Sequence, residues 1–103
     1  MTGYAFHPEA EADLVDLWEY IAADNPTAAE RVTAELEKAL DNLVSLPGQG
    51  HRRPDLTSRP LRFILVRDYL IAYAPETDPL WVVAVIHGRR NPRVIAAILR
   101  GRE

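Results

Sequence analysis

Residues 61–87 read LRFILVRDYLIAYAPETDPLWVVAVIH, and this stretch decides the fold. Leu61–Val66 and Tyr69–Tyr73 are β-forming runs separated only by Arg67-Asp68, a spacing that predicts a tight hairpin. A second turn around Pro75–Pro79 leads into Leu80–His87, which is rich in Val and Ile and apolar on both faces. Such a run predicts a central strand covered on both sides. Three strands in quick succession leave no room for crossover helices between them, so they are expected to be antiparallel.

The flanks read differently. Upstream, Tyr4-Ala5-Phe6 is a short strand ended by His7-Pro8. Pro8 suits a first helical turn, where its missing N–H costs nothing. Glu9, Glu11 and Asp13 lie near the positive end of the helix dipole. Leu14, Leu17, Trp18 and Ile21 recur at i, i+3, i+4 and i+7, so a helix is expected from Pro8 to Ala23. Asp24-Asn25-Pro26 stops it and starts the next, with Asn25 able to cap and Thr27 with Glu30 offering a capping box. Ala29, Val32, Leu36, Ala39, Leu40 and Leu43 form the second stripe, closed by Leu46-Pro47-Gly48. The connection permits only an antiparallel helical hairpin. Residues 47–60, dense in Gly, Pro and small polar residues, read as a loop. Downstream, Gly88-Arg89-Arg90-Asn91 breaks the sheet and Pro92 opens a last short helix, with Val94, Ile95 and Ile98 or Leu99 inward. The expected fold is α+β in the order β-α-α-β-β-β-α. A helical hairpin packs on one face of an antiparallel sheet, and the whole chain, 1–103, makes one domain.

Composition agrees with one core: 103 residues, 48% apolar and 26% charged, leave disorder unfavoured. No cysteine is present, which excludes disulfide scaffolds, thiolate nucleophiles and cysteine-based zinc sites. The first residues carry neither a basic region nor an apolar run, so no signal peptide is expected, and the cytoplasm is the expected location. The longest apolar run, Leu80 to Ile86, falls far short of the roughly 20 residues that span a bilayer. The net charge of −3 hides a split: residues 1–46 hold ten acids against Arg31 and Lys38, while residues 47–103 hold ten arginines against five acids. An acidic solvated face and a basic working face follow from it, although a GC-rich genome also favours arginine over lysine.

Motif chemistry is sparse. His7, His51 and His87 lack second ligands at metal-binding spacing, and Gly48-Gln49-Gly50 is not followed by a phosphate-loop Gly-Lys. Ser45 and Ser58 sit in no nucleophile elbow. No metal, no cofactor and no catalytic residue is therefore expected. The helix carboxylates read as a solvated face. Leu14 and Trp18 read first as core, with Trp18 largely buried against the sheet, and second as part of a groove for a partner helix. The arginines read as a binding surface rather than a solvated edge: Arg62 early in its strand, Arg67 in the hairpin turn, and Arg89, Arg90 and Arg93 after the strand that His87 ends.

The ordered set Pro8-Glu9-Ala10, Trp18 and Ile21, Asn25-Pro26-Thr27-Ala28-Ala29, Leu46-Pro47-Gly48, Leu61-Arg62, Tyr69-Leu70-Ile71-Ala72-Tyr73 and His87-Gly88-Arg89-Arg90-Asn91-Pro92 resembles the RelE/ParE superfamily of bacterial toxins. The long hairpin and the His-Gly-Arg-Arg ending are more similar to the ParE branch. That resemblance implies the toxin of a type II toxin–antitoxin pair that poisons DNA gyrase by protein–protein contact. It also implies a hetero-oligomer with a small antitoxin, ParD-like or another DNA-binding type, and neither membrane nor direct nucleic-acid binding. The RelE branch would instead imply mRNA cleavage in the ribosome, for which Arg62 and His87 stand in plausible places. No tyrosine follows Tyr73, however, and Ala74 stands where many relatives have Arg. A non-toxic, antitoxin-binding relic is the third reading.

Overall fold

The computed structural model describes residues 3–102. Strand β1 (Tyr4–Phe6) is followed by helices α1 (Pro8–Ala22) and α2 (Pro26–Ser45), strands β2 (Arg62–Val66), β3 (Tyr69–Ala74) and β4 (Leu80–His87), and helix α3 (Pro92–Arg100). Local chemistry sets the helix starts. Each opens on a proline, and His7 Nδ1, Asn25 Oδ1 and Asn91 Oδ1 accept from the N–H groups of Glu9, Ala28 and Arg93 at 3.0, 3.0 and 2.8 Å.

The sheet order is β1-β4-β3-β2. Strands β2, β3 and β4 are antiparallel, as the short connections require, with Ile64 opposite Ile71 and Ile71 opposite Val85. Strand β1 joins β4 in parallel, Tyr4 beside Leu80 and Phe6 beside Val82, so the sheet is mixed. A parallel neighbour needs a long crossover, and the hairpin of α1 and α2 supplies it.

Both faces of the sheet are covered, as the doubly apolar β4 predicts, with the helical hairpin on one of them. On one face α1 and α2 pack Leu17, Leu36, Leu40 and Leu43 against Ile71, Tyr73 and Val82. On the other, α3 and the segment 51–61 pack Ile95, Leu99, Leu56 and Leu61 against Phe63, Ala72 and Val83. Strand β4 demands this arrangement, because its side chains are apolar in both directions and Val82, Val83 and Ala84 are all fully buried.

The start of the loop is anchored by Tyr73. Tyr73, fully buried, donates to Pro47 O at 2.6 Å and accepts from Gly50 N at 2.9 Å. A Cβ on Gly50 would come within 2.6 Å of that hydroxyl and 2.8 Å of Phe63 O, so only glycine fits. His51 then exchanges two backbone hydrogen bonds with Phe63, extending the edge of β2.

Helix α1 is rotated from the expected stripe. Its buried row is Ala10 and Leu17, with Asp13 between them at the same helical phase. Leu14 and Ile21 flank that row, half-buried. Trp18 lies at its rim, 41% exposed, and so is not the buried anchor that the stripe suggested.

Candidate functional site

The end of the sheet where β4 stops gathers most of the expected residues. Tyr69 pairs with His87, and Gly88 N donates to Asp68 O at 2.7 Å, which sets the β2–β3 turn beside the turn after β4. Arg67, His87, Arg89, Arg90 and Arg93 thus share one end of the molecule. Arg62 does not. It pairs with Tyr73 at the opposite end of β2, where its guanidinium donates to Gly50 O at 2.7 Å and braces the loop.

Two of the five at this end are occupied. Arg67, whose φ of 53° closes the two-residue turn, forks onto Glu35 of α2 with contacts of 2.7 and 2.6 Å. The fork holds the Glu35 carboxyl below its ordinary range and raises the Arg67 guanidinium. His87 Nδ1 accepts from Arg89 N at 3.2 Å, and its ring meets Tyr69 edge-on with centroids 5.4 Å apart. His87 shapes the turn; His7 and His51 have equally local tasks elsewhere.

Arg89, Arg90 and Arg93 remain. All are exposed, and their side chains make no hydrogen bond or ion pair among the described residues. They surround the N-terminus of α3, whose first turn holds no acid. Three cations beside the positive end of a helix dipole repel one another and the helix, an arrangement that an external anion would relieve.

Beside this turn, a cleft of 710 Å³ runs between α1 and the sheet end, with Asp13, Asp16, Asp68, His87, Arg90 and Arg102 on its walls. Three carboxylates face two guanidiniums there, so the cleft itself attracts no anion.

Asp13, expected on the solvated face of α1, instead makes with Arg102 the shortest and most buried ion pair among the described residues. Arg102 forks onto Asp13 at 2.5 and 2.9 Å, with only 8% and 16% of the two side chains exposed. Strand β1 is too short to cover β4 beyond Val82. There Val85 N donates to Asp13 at 2.9 Å and Arg102 donates to Val83 O at 3.2 Å. The ion pair therefore takes the place of a neighbouring strand along the open edge of β4. Hydrogen bonding to Asp13 raises the Arg102 guanidinium further. Arg59 secures the arrangement by donating to Leu99 O and Arg102 O, both at 3.0 Å. The available signal was phase: Asp13 falls three residues after Ala10 and four before Leu17, on the buried row, so it is not part of a solvated face.

A second concavity lies on the hairpin side. Tyr4 and Phe6 of β1, Leu14, Val15 and Trp18 of α1, and Leu40 of α2 line an apolar groove of 340 Å³. Leu14 and Trp18, the two groove candidates, are brought together in it.

With these surfaces defined, comparison with known proteins is decisive on kinship. The model of the ParE toxin of the type II toxin–antitoxin system parDE matches residues 4–92. The chain belongs to this family. A relative, Toxin RelE2 of Caulobacter vibrioides (strain ATCC 19089 / CIP 103742 / CB 15), is 33% identical over 81 residues, 79% of this chain and 89% of that protein. The chain is thus a type II toxin of the ParE/RelE group, and membership implies a cognate antitoxin. The match to the ParE model ends at Pro92, so most of α3 and the Arg102 contact lie beyond the matched stretch. Among the described residues, no helix is long and apolar enough to cross a membrane.

Proposed function

We propose that this ParE-family toxin inhibits DNA gyrase by protein–protein contact in the cytoplasm, without catalysing a reaction itself. The observation that carries the reading is the arginine turn. Arg89 and Arg90, with Arg93 beside them, are exposed and have no side-chain partner among the described residues, at the end of β4 and the capped start of α3, where an acidic protein surface can reach them. Arg67 and His87 shape the platform beneath it. The antitoxin, ParD-like or of another DNA-binding type, forms a hetero-oligomer with the toxin. The groove around Leu14 and Trp18 offers it an apolar seat rimmed by an exposed indole.

The name of the relative Toxin RelE2 favours a second reading, a ribosome-dependent endoribonuclease. Two features of the geometry weigh against it. Cleavage needs a base and an acid converging on one ribose. Arg62 and His87, the side chains best suited by type, lie at opposite ends of the β2–β3 ladder, and Arg62 to Val66 alone spans about 14 Å at strand rise. The cleft beside His87 is also lined by more carboxylates than guanidiniums, which disfavours a phosphate backbone there. The two readings part in a paired assay. Purified toxin is added to gyrase supercoiling reactions, and transcript 5′ ends are mapped after brief induction. Supercoiling inhibited without new ends supports the gyrase reading, whereas new ends within codons and unaffected gyrase establish the nuclease. A protein that does neither yet binds its antitoxin is a relic.

A further inference from the structure

The split of charge along the sequence becomes a split across the sheet. The ten acids of the first half all lie on α1, α2 and their connection, which cover one face. The other face is covered by α3 and residues 51–61. With the turn that precedes α3, this layer carries Arg52, Arg53, Arg59, Arg89, Arg90, Arg93, Arg100 and Arg102 against Asp55 alone.

Some of these arginines are internal. Arg53 forks onto Asp55, Arg59 holds backbone carbonyls at the end of α3, and Arg102 is buried on Asp13. Arg52, Arg89, Arg90, Arg93 and Arg100 are exposed, and their side chains have no partner among the described residues. Helix α3 buries Ile95 and Leu99. At 100° per residue, Arg93 and Arg100 then project from the opposite side, on one outward stripe about 10 Å long.

We propose that the outward side of this layer binds the phosphate backbone of a nucleic-acid duplex through Arg52, Arg93 and Arg100, leaving the adjoining Arg89–Arg90 turn to the protein contact proposed above. Three observations favour that partner. Protein interfaces are anchored by buried apolar and aromatic side chains, whereas among the described residues the large apolar side chains exposed on this side are only Val94 and, at the sheet edge, Leu65, against five exposed arginines. Backbone contacts need only cations. Single strands are held by stacking on aromatics, and among the described residues the exposed Trp and Tyr side chains, Trp18 and Tyr20, both lie on α1, on the other face, while Trp81 on this side is half-buried.

The net charge of −3 does not oppose this reading, because it is the wrong quantity for one face. Helix and sheet layers pack roughly 10 Å apart, so the acidic and basic layers lie about 20 Å from each other. The Debye length at 0.1 M salt is about 10 Å, and the far layer is largely screened. The inference does not depend on gyrase being the target.

The test is anisotropy of labelled DNA and RNA duplexes of about 20 base pairs with purified toxin, titrated between about 50 and 200 mM salt. At least one duplex is expected to bind, with log K falling linearly against log salt. Arg52→Ala with Arg100→Ala leaves the Arg89–Arg90 turn intact. It should lower the slope by about two and the affinity by about tenfold or more, with an unchanged circular dichroism spectrum. Whichever duplex binds more tightly identifies the source of the phosphates. Absence of binding to both at low salt, or a double variant that binds as well as the parent, overturns the proposal. So does displacement of the duplex by polyglutamate at equal charge concentration, which would assign the layer to an acidic protein. Gyrase inhibition, measured separately, neither rescues nor sinks it.

Discussion

Replacing Asp13 by alanine should be among the most damaging single changes in this protein. The substitution removes both acceptors of the Arg102 fork and the acceptor of Val85 N–H, while Arg102, 8% exposed, keeps its charge. Breaking a buried pair from one side costs about 3–5 kcal/mol, and an orphaned buried backbone donor adds about 1–3 kcal/mol. A domain of this size has about 5–15 kcal/mol in total, so the loss consumes much of the margin. Urea unfolding should show the midpoint falling by about 2 M or more for a slope near 2 kcal/mol per M. Asp13→Asn keeps an acceptor for Val85 N–H and should fall between the two. In simpler ion pairs, replacing both partners with apolar groups is often nearly neutral. Here Asp13→Leu with Arg102→Met should remain destabilised, because Val83 O and Val85 N still lack partners. A double variant as stable as the parent would refute the claim that the pair stands in for a strand. A near-neutral Asp13→Ala would refute the burial of the pair itself.

Three further outcomes are expected. Trp18→Ala should cost about 2 kcal/mol, less than the 3–5 kcal/mol of a buried aromatic, since the rim position leaves no closed cavity; antitoxin affinity should fall more than stability. Gly50→Ala should lower the melting temperature and speed proteolysis between residues 47 and 60, because its methyl collides with Tyr73 Oη and Phe63 O. The Glu35 carboxyl, depressed by its Arg67 hydrogen bonds, contributes stability that is present above its unfolded-state value and lost as pH falls through the depressed one. In Arg67→Ala, NMR titration of Glu35 should return toward an ordinary carboxylate; an unchanged titration would show that the fork is absent in solution.

The sequence revealed those parts of the structure whose causes are local. Proline, a capping side chain and a 3.6-residue stripe lie within a few residues of one another, so both long helices and their hairpin could be read directly. The Arg67-Asp68 turn likewise fixed β2 against β3. What could not be read depends on contacts made across the chain. Arg102 meets Asp13 across 89 positions, and nothing near either residue marks the pairing. Trp18 belonged to a complete stripe, yet the buried face of α1 turns toward Ala10 and Leu17, because the short β1 leaves an edge that Asp13 must reach. Of the candidate site, the cluster at Arg89, Arg90 and Arg93 was legible from adjacency. That Arg67 is taken by Glu35, and that Arg62 braces the loop, required the tertiary structure.

The central claim is that the arginine turn engages gyrase. The most direct measurement is supercoiling by purified gyrase, titrated with the parent toxin and with Arg89→Ala plus Arg90→Ala, alongside the melting temperature of each. Exposed substitutions without partners change stability by less than about 0.5 kcal/mol, so both proteins should melt alike. The parent should inhibit supercoiling, and the double variant should need at least about tenfold more protein, the equivalent of ~1.4 kcal/mol of binding. Equal inhibition by the two proteins, or none by the parent, would contradict the claim.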